Sequence, residues 1–307
     1  MFDLIIIGGA SAGLAAAIYA ARKKLNFVVL TEKIGGQSLL TERIENYPGF
    51  EEIAGYELVK KMEEQAKKYG TQILEGEDCE VLKIEKTGNS FRLNTKKGGE
   101  MEAKSVVVAS GKRPRLLNVA GEKEFTGKGV TYCSICDAPL FEGKDVVVVG
   151  GGNSGMEASL DLLKYANKIY VLEYGLKIIG DEVSQEKLRQ SGKVEFIVNA
   201  KILEIKGDKF VSGVVYEDTV SGEKKELKVE GIFVNIGQLP NTDFLKGFLE
   251  LNEFNEIVVN GKTGETSVVG IFAAGDATDI PFKQCVIAAG QGATAALSAH
   301  KYLQSLL

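Results

Sequence analysis

The strongest constraint on the fold is a strand–turn–helix–strand pattern that occurs twice in the chain. The first copy runs from the apolar segment Phe2–Ile7 through the glycine turn Gly8–Gly13 into an Ala-rich segment and a second apolar run. The second copy has the same order, from Asp145–Val149 through Gly150–Gly155 to Lys168–Leu172. The apolar runs do not alternate with polar residues, so we expect strands buried on both faces of a parallel sheet. The repetition predicts two related units in one chain.

Helices and strands alternate along the rest of the sequence, which is typical of an α/β protein with parallel sheets. We therefore predict two Rossmann-like nucleotide-binding domains, with the second inserted into the first. The first domain is assigned to 1–115 and 238–307, and the inserted domain to 116–237. A last buried strand at Ile271–Ala274 and a small-residue helix at Ile287–Tyr302 complete the first domain.

Composition narrows the classes of partner. The net charge is −5 and no block of Lys and Arg stands out, so nothing electrostatic supports a nucleic-acid partner. The apolar runs are too short to span a bilayer, and the N-terminus lacks the basic region of a signal peptide. Four cysteines, only two of them close together, fit a reducing compartment. We expect a cytoplasmic protein with no membrane segment.

The second glycine turn matches G-x-G-x-x-G in full, with Gly150, Gly152 and Gly155 around Asn153 and Ser154. The three glycines allow a tight turn, a close approach of backbone to pyrophosphate, and close packing of helix on strand. The turn follows a strand and opens a helix, which favours a dinucleotide site over a turn that serves only packing.

Glu173 directly follows the second strand of this unit. An acid at this place can accept a hydrogen bond from the adenosine ribose 2′-OH, and it would repel a 2′-phosphate. The following residues offer Lys177 and further acids but no arginine. These features favour NADH over NADPH, with a solvated glutamate at a strand end as the alternative.

The first glycine turn is a degenerate match, because Ala10 stands where the second glycine is expected. Its methyl group is a small obstacle to a pyrophosphate. When the two repeats are aligned, Thr31 takes the position of Glu173, and Glu32 follows one residue later. The sequence therefore does not assign the residue of this unit that would contact the ribose.

Cys133 and Cys136 form a Cys-x-x-Cys motif just before the second unit, and Asp137 follows them. Zinc would need two more ligands, and the remaining Cys79, Cys285 and single histidine are isolated in sequence. Buried structural thiols are a second possibility. The third is a redox dithiol, in which one thiolate attacks a disulfide and the other resolves the mixed disulfide. Asp137 could hold the proton of the leaving thiolate or could be a plain turn residue.

Two nucleotide units and one dithiol together suggest an electron path. A pyridine nucleotide gives up two electrons as hydride, whereas a disulfide accepts them through thiol chemistry. A flavin is the usual bridge between the two. We therefore expect FAD in one unit and NADH in the other.

Five segments together resemble the low-molecular-weight thioredoxin reductases, and the resemblance covers essentially the whole chain. The segments are Ile5–Arg22, Gly35–Gln37 with Ile44–Phe50, Cys133–Phe141, Gly150–Ser159 and Gly270–Gly292. Val234–Leu245 and Glu173 are most similar to the reductase portion of the NADH-using flavoprotein subunits of alkyl hydroperoxide reductases. The basic cluster that reads the NADPH 2′-phosphate in typical members is replaced by Leu172–Lys177, which again favours NADH.

The resemblance implies FAD in the first domain and a set of residues that contact it. These are Gly8, Gly9, Ala10, Ser11, Ala12, Gly13, Glu32, Gly36, Gln37, Asn46, Ser110, Gly111, Gly275, Asp276, Lys283, Gln284 and Cys285. Lys283 stands where many members have arginine, so it lacks the two-pronged donor geometry of that side chain.

The resemblance also implies roles for the dithiol. Cys136 would be the thiol next to the flavin, Cys133 the thiol that attacks the protein substrate, and Asp137 the acid/base. The partner would be thioredoxin, a glutaredoxin-like protein or another thioredoxin-fold dithiol protein, and the assembly a homodimer. We expect no metal.

The sequence thus predicts an FAD-dependent, NADH-preferring disulfide reductase. A ferredoxin-driven flavin thioredoxin reductase is an alternative, but such relatives lose the second glycine motif, which is intact here. The thiol-free ferredoxin–NADP reductases lack the two cysteines that this chain carries. From a different class, a redox-sensing protein could bind nucleotide without turnover.

Overall fold

Parallel sheets lie at the centre of both units of the chain in a computed structural model, which describes residues 1–41, 44–97 and 99–306. Unit 1 comprises Met1–Leu39, Tyr47–Arg113 and Leu239–Leu307. Unit 2 comprises Leu40–Asn46 and Pro114–Gln238. Among the described residues, no helix combines the length and the apolar character needed to cross a membrane.

Unit 1 is built on a seven-stranded sheet. Its strands are β1 (Phe2–Ile7), β2 (Phe27–Thr31), β3 (Gln72–Glu75), β4 (Val81–Thr87), β5 (Ser90–Thr95), β6 (Glu100–Val108) and β17 (Ile271–Ala273). The order is β3-β2-β1-β6-β5-β4, and β17 pairs with the C-terminal part of β6. β1 is central and pairs in parallel with β2 and β6, which explains why its buried residues Leu4–Ile7 form a continuous apolar run after Asp3.

Three helices cover this sheet, with short 3₁₀ turns between elements. The helices are α1 (Ser11–Arg22), α2 (Gly55–Lys68) and α7 (Cys285–Gln304), and the 3₁₀ turns are Gly36–Leu40, Glu77–Cys79, Asp243–Leu245 and Gly275–Ala277. α1 and α7 pack closely, since a Cβ at Gly292 would lie 2.0 Å from the carbonyl oxygen of Ala12. The small residues of both helices therefore form one core layer with β1.

Unit 2 contains a five-stranded parallel sheet and a three-stranded antiparallel sheet. The parallel strands are β8 (Val130–Thr131), β9 (Asp145–Val149), β10 (Lys168–Leu172), β11 (Val194–Ile197) and β15 (Gly231–Val234), in the order β11-β10-β9-β15-β8. The antiparallel strands are β12 (Ala200–Gly207), β13 (Val211–Asp218) and β14 (Lys224–Leu227). The helices are α3 (Glu122–Phe125), α4 (Ser134–Asp137), α5 (Asn153–Leu162) and α6 (Glu182–Gln190), with a 3₁₀ turn at Ala138–Phe141.

Two short strands, β7 (Lys112–Pro114) and β16 (Gln238–Pro240), pair with each other. Each lies where the chain passes from one unit to the other.

The predicted fold class is confirmed: the chain is α/β, with parallel sheets in two Rossmann-like units, the second inserted into the first. The helices α1 and α5 begin inside the two glycine turns, at Ser11 and Asn153. The last glycine of each turn therefore lies in the first helical turn. Helix α6 was not predicted, because only Gln185 and Leu188 are buried in it and its apolar periodicity is weak.

Candidate functional site

The first glycine turn connects β1 to α1 and cannot accept larger residues at two positions. Gly8 has φ +111°, and a Cβ there would lie 2.1 Å from the carbonyl oxygen of Ala109, which directly follows the neighbouring strand β6. A Cβ at Gly13 would lie 1.8 Å from the carbonyl oxygen of Gly8. The backbone therefore turns tightly at the carboxyl end of β1 and enters the helix directly, as a dinucleotide turn requires.

The N-terminus of α1 is open to an anion. Its N-cap residue Ala10 provides no side-chain hydrogen bond, so the first N–H groups of the helix are not capped by it. Ser11 is 4% exposed, and its Oγ has no hydrogen-bond partner among the described residues. Free helical N–H groups and an orphaned buried hydroxyl beside them fit the phosphates of a dinucleotide.

Gly36 and Gly275, which were also predicted to contact FAD, lie next to this turn in unit 1. A Cβ at Gly275 would lie 3.0 Å from the Ala12 methyl group, and one at Gly36 would lie 3.0 Å from the Ala10 methyl group. Ala10 therefore directs its methyl group at a glycine, which explains how an alanine is accommodated here.

Polar contacts connect further members of the predicted set. Gln37 Nε2 donates to the Lys112 carbonyl at 2.9 Å, Ser110 Oγ donates to the Asn241 carbonyl at 2.7 Å, and the Asn241 N–H donates to the Gly111 carbonyl at 2.9 Å. A Cβ at Gly9 would lie 2.8 Å from Thr31 Cγ2, so the Gly9 position faces the Thr31 side chain.

The remaining residues predicted to contact FAD lie in loops or at the start of a helix. Glu32 is exposed, and Asn46 is exposed and grouped with unit 2. Cys285 begins α7, where its Sγ lies 3.3 Å from Ser38 Oγ, and Gln284 is the N-cap residue of that helix.

Lys283 belongs to a largely buried cluster of charges. Its Nζ lies 3.3 Å from Glu256 Oε1 and donates to the carbonyl of Thr278. Lys112 Nζ forms a shorter ion pair with the same Glu256 oxygen, and the three charged side chains are only 10–18% exposed. Asn252 Nδ2 donates to the other Glu256 oxygen at 2.7 Å. Glu256 therefore neutralises two lysines at once.

The electrostatics of this cluster are uneven. Burial raises the pKa of Asp276 above its ordinary value, and the charges of Lys283 and Lys112 only partly oppose this. Burial and the nearby Lys112 lower the pKa of Lys283. Burial also acts to raise the pKa of Glu256, but the hydrogen bonds from Lys112 and Asn252 and the lysine charges outweigh it, so that pKa lies below its ordinary value.

The second glycine turn has the same geometry in unit 2. Gly150 has φ +114°, a Cβ there would lie 2.4 Å from the Asn235 carbonyl oxygen, and one at Gly155 would lie 1.8 Å from the Gly150 carbonyl oxygen. Nothing among the described residues lies within 4 Å of a Cβ position at Gly152, so this backbone is open to a ligand. The N-cap residue of α5 provides no side-chain hydrogen bond, whereas Asn153 Oδ1 accepts a hydrogen bond from the Asp181 N–H at 2.9 Å. This arrangement also fits a pyrophosphate.

Glu173 is fixed against this turn by both carboxylate oxygens. Oε2 accepts a hydrogen bond from the Gly151 N–H at 2.6 Å, and Oε1 accepts one from the Gly175 N–H at 2.7 Å. A Cβ at Gly151 would lie 2.9 Å from Glu173 Oε2, so this glycine, which the sequence did not single out, is needed for the contact. The acid is thus held beside the turn where a ribose would be read.

The Cys-x-x-Cys motif forms a disulfide at the N-terminus of α4. The Cα atoms of Cys133 and Cys136 are 5.4 Å apart, and the Cys136 N–H donates to Cys133 Sγ at 3.2 Å. Asp137 is 6% exposed, and its Oδ2 accepts a hydrogen bond from the Thr131 hydroxyl. Ser134 Oγ donates to Asp161 Oδ2 on α5 at 2.9 Å, which ties the cysteine turn to the helix of the second glycine motif.

The disulfide uses both thiols of the motif, so they are not zinc ligands in this state. No group of three or more His, Cys, Asp or Glu side chains in the described part of the chain is arranged to hold a metal ion.

Comparison with known proteins identifies the family. A family model described as pyridine nucleotide-disulphide oxidoreductase matches residues 2–294. The chain belongs to this family. Thioredoxin reductase from Streptococcus pyogenes superposes with a TM-score of 0.93 at 35% identity, covering 99% of each chain. The resemblance to low-molecular-weight thioredoxin reductases is thereby confirmed.

Curated relatives carry two further names. The NADH dehydrogenase of Bacillus subtilis is 44% identical over 302 residues, and a component of the alkyl hydroperoxide reductase of Pseudomonas aeruginosa is 45% identical over 304 residues. Each match covers 98% of this chain and 58% of the relative. This chain therefore spans somewhat more than half the length of those relatives.

Membership of the family implies FAD and a pyridine nucleotide, and the two glycine turns fit such groups. Sequence reasoning missed several residues of the same regions, namely Lys112, Thr131, Gly151, Asp161 and Glu256. Thr131 lies two residues before Cys133, which was the only signal for it in the sequence. Glu256 lies in a loop far from any motif, so no sequence pattern pointed to it.

Proposed function

We propose that the protein is an FAD-dependent disulfide reductase that takes electrons from NADH and delivers them through Cys133 and Cys136 to a dithiol protein. The observation that carries this proposal is the disulfide itself, which lies beside the buried Asp137 in the same unit as the second glycine turn. A close pair of cysteines can attack a disulfide and resolve the mixed disulfide, and a neighbouring carboxyl can carry the proton of the leaving thiolate.

Each group of residues has a part in this function. The Gly8–Gly13 turn with Asp276 and Lys283 would hold FAD, and the Gly150–Gly155 turn with Glu173 would hold NADH. When bound, FAD links the two-electron chemistry of the nicotinamide to that of the disulfide. Glu173 would accept hydrogen bonds from the ribose of NADH and would repel the 2′-phosphate of NADPH.

The exchange with the partner uses both cysteines in turn. The Cys133 thiolate attacks the partner disulfide, and one partner sulfur leaves with a proton. Cys136 then attacks Cys133 Sγ, which releases the second partner sulfur and re-forms the internal disulfide. The partner gains two electrons and the two thiol protons, and this chain loses them. Asp137 would take and return the proton at the sulfur atoms.

The partner is proposed to have a thioredoxin fold, such as thioredoxin or a glutaredoxin-like protein. The solved thioredoxin reductases that the chain resembles along its whole length support this choice. The alkyl hydroperoxide reductase relatives favour a dithiol protein that serves peroxide reduction. We expect a homodimer that acts in the cytoplasm, as the cysteine content suggested.

Replacing single cysteines tests the proposal. With NADH and oxidised thioredoxin as substrates, Cys133→Ser and Cys136→Ser should abolish disulfide reduction while NADH still bleaches the bound flavin. Cys79→Ser is the matched control, because Cys79 is a free cysteine outside the motif. Disulfide turnover that survived in the Cys136→Ser variant, or a flavin that NADH did not bleach, would contradict the proposal.

A further inference from the structure

Thr131, at the end of β8, forms hydrogen bonds with both Cys133 and Asp137. Its side chain is 7% exposed. Oγ1 accepts a hydrogen bond from the Cys133 N–H at 3.2 Å and donates its proton to Asp137 Oδ2. One hydroxyl group therefore holds the backbone at the start of the disulfide and the carboxylate at its end.

The position of this hydroxyl is determined by the sheet. Thr131 pairs with Phe233 of β15, so its backbone is fixed by a parallel ladder at one edge. A β-branched side chain in a strand has restricted χ1 rotamers, which limits where Oγ1 can point. By contrast, α4, which carries Cys136 and Asp137, has only four residues.

The backbone of the turn completes the arrangement. The Asp137 N–H donates to the Cys133 carbonyl at 3.2 Å, and the Cys136 N–H donates to Cys133 Sγ at 3.2 Å. These bonds close the turn but do not orient the Asp137 carboxyl. The Thr131 hydroxyl bonds that carboxyl directly.

We propose that Thr131 is a positioning residue that holds the Asp137 carboxyl against the Cys133–Cys136 turn during thiol–disulfide exchange. This inference rests on the proposed function, in which Asp137 exchanges a proton with the sulfur atoms. When Cys133 loses its thiol proton to Asp137 and attacks a partner disulfide, the hydroxyl keeps the carboxyl in place. The same proton then goes to the leaving partner sulfur, so the step is balanced.

Paired substitutions at this position test the proposal. Thr131→Val keeps the branched shape and the strand preference but removes the hydroxyl. We expect it to lower kcat for thioredoxin reduction by about 10-fold to 100-fold, which is at most the lower end of the roughly 100-fold to 10,000-fold that a positioned acid/base contributes, because the carboxyl itself is retained. KM for NADH and NADH-driven reduction of ferricyanide should stay unchanged. Thr131→Ser keeps the hydroxyl and should recover kcat to within about threefold of the original protein.

A second measurement does not depend on turnover. In the dithiol form, Cys133 should react with iodoacetamide several-fold more slowly in Thr131→Val than in Thr131→Ser, because the proton acceptor is no longer held beside the thiol. Thr242→Val is the matched control: Thr242 is 1% exposed, and its hydroxyl donates to the Asn255 carbonyl, far from the disulfide in sequence. It should cost stability without changing the alkylation rate.

The outcomes separate this inference from the proposed function. If Thr131→Val lowers only the unfolding temperature, as Thr242→Val does, while kcat and the alkylation rate are unchanged, Thr131 is purely structural and the inference is wrong. If the unmodified protein does not reduce thioredoxin at all but its Cys133 alkylation still depends on the Thr131 hydroxyl, the choice of substrate fails and the positioning role stands.

Discussion

At the scale of single residues, Glu173 combines two tasks that different substitutions can separate. Its Oε2 accepts a hydrogen bond from Gly151 of the glycine turn, and its Oε1 accepts one from Gly175. In the proposed function, the carboxylate would place a negative charge where the 2′-phosphate of NADPH would bind. We expect Glu173→Gln to keep much of the contact with NADH but to remove the repulsion, so kcat/KM for NADPH should rise. Glu173→Ala should raise KM for NADH by about tenfold, the effect of losing roughly 1.4 kcal/mol of hydrogen bonding.

Stopped-flow reduction of the bound flavin by each nucleotide measures this preference. Glu186→Ala is a suitable control, because that exposed glutamate of α6 accepts a hydrogen bond from Gln190 of the same helix. Equal rates with NADH and NADPH in the original protein would show that Glu173 does not select the nucleotide.

Some residues of the candidate site could be predicted from the sequence, and others could not. Cys133, Cys136 and Asp137 were visible because a close pair of cysteines is rare in this chain. Thr131 and Glu256 were not visible, because their contacts arise only when separate strands and loops meet. A single hydroxyl or carboxyl side chain produces no periodic pattern in the sequence, so its hydrogen-bond partner becomes known only from the structure.

At the scale of elements, the two strand–turn–helix junctions are copies of each other. A Cβ at Gly13 or at Gly155 would lie 1.8 Å from the carbonyl oxygen of the first glycine in its own turn. We expect Gly13→Ala to weaken FAD binding and Gly155→Ala to weaken NADH binding. Each should also lower stability by about 1–3 kcal/mol, as is usual when extra atoms are forced into a packed site.

Gly290→Ala is the matched control for both variants. Gly290 also lies in a helix, but none of the described residues comes within 4 Å of its Cβ position. Alanine should therefore stabilise α7 by about 0.5–1 kcal/mol, the usual difference in helix preference. The measurements are thermal unfolding and titration of FAD and NADH. If Gly13→Ala bound FAD with normal affinity, and Gly155→Ala bound NADH with normal affinity, the two turns would not form the proposed binding sites.

Elements differed in how readily the sequence predicted them. β1 and β9 were predicted with correct bounds, because strands buried on both faces leave continuous apolar runs between turn signals. α6 was missed, because a helix with two buried residues has almost no apolar face.

At the scale of the whole molecule, the two units divide the proposed chemistry, and each carries its own core. Unit 1 contains the first glycine turn and the charge cluster around Glu256, and unit 2 contains the second turn and the disulfide. The charge cluster affects the stability of the folded chain as well as its proposed cofactor site. The pKa values of its two acids are shifted in opposite directions, which makes their contributions to stability separable by pH.

The sign of each contribution follows from the direction of its pKa shift. Asp276 has a pKa raised above 3.8, so the folded state loses stability as the pH rises from 3.8 through the raised value. Glu256 has a pKa lowered below 4.5, so its contribution is present above pH 4.5 and is lost as the pH falls through the lowered value. At neutral pH, ionised Asp276 therefore costs stability, whereas ionised Glu256 provides it.

Thermal unfolding of the FAD-free protein between neutral pH and about pH 3, which includes the range below 4.5 where Glu256 takes up its proton, should show this opposition. Asp276→Asn should raise the unfolding temperature at pH 7 even though it weakens FAD binding. Glu256→Gln should destabilise the protein by about 3 kcal/mol at pH 7, because two largely buried lysines lose their counter-charge. Both differences should shrink as the pH falls.

Asp208→Asn, at an exposed aspartate, is the control and should change neither the unfolding temperature nor its dependence on pH. A destabilised Asp276→Asn variant at pH 7 would mean that this carboxylate is stabilised in the folded chain, contrary to the burial that raises its pKa.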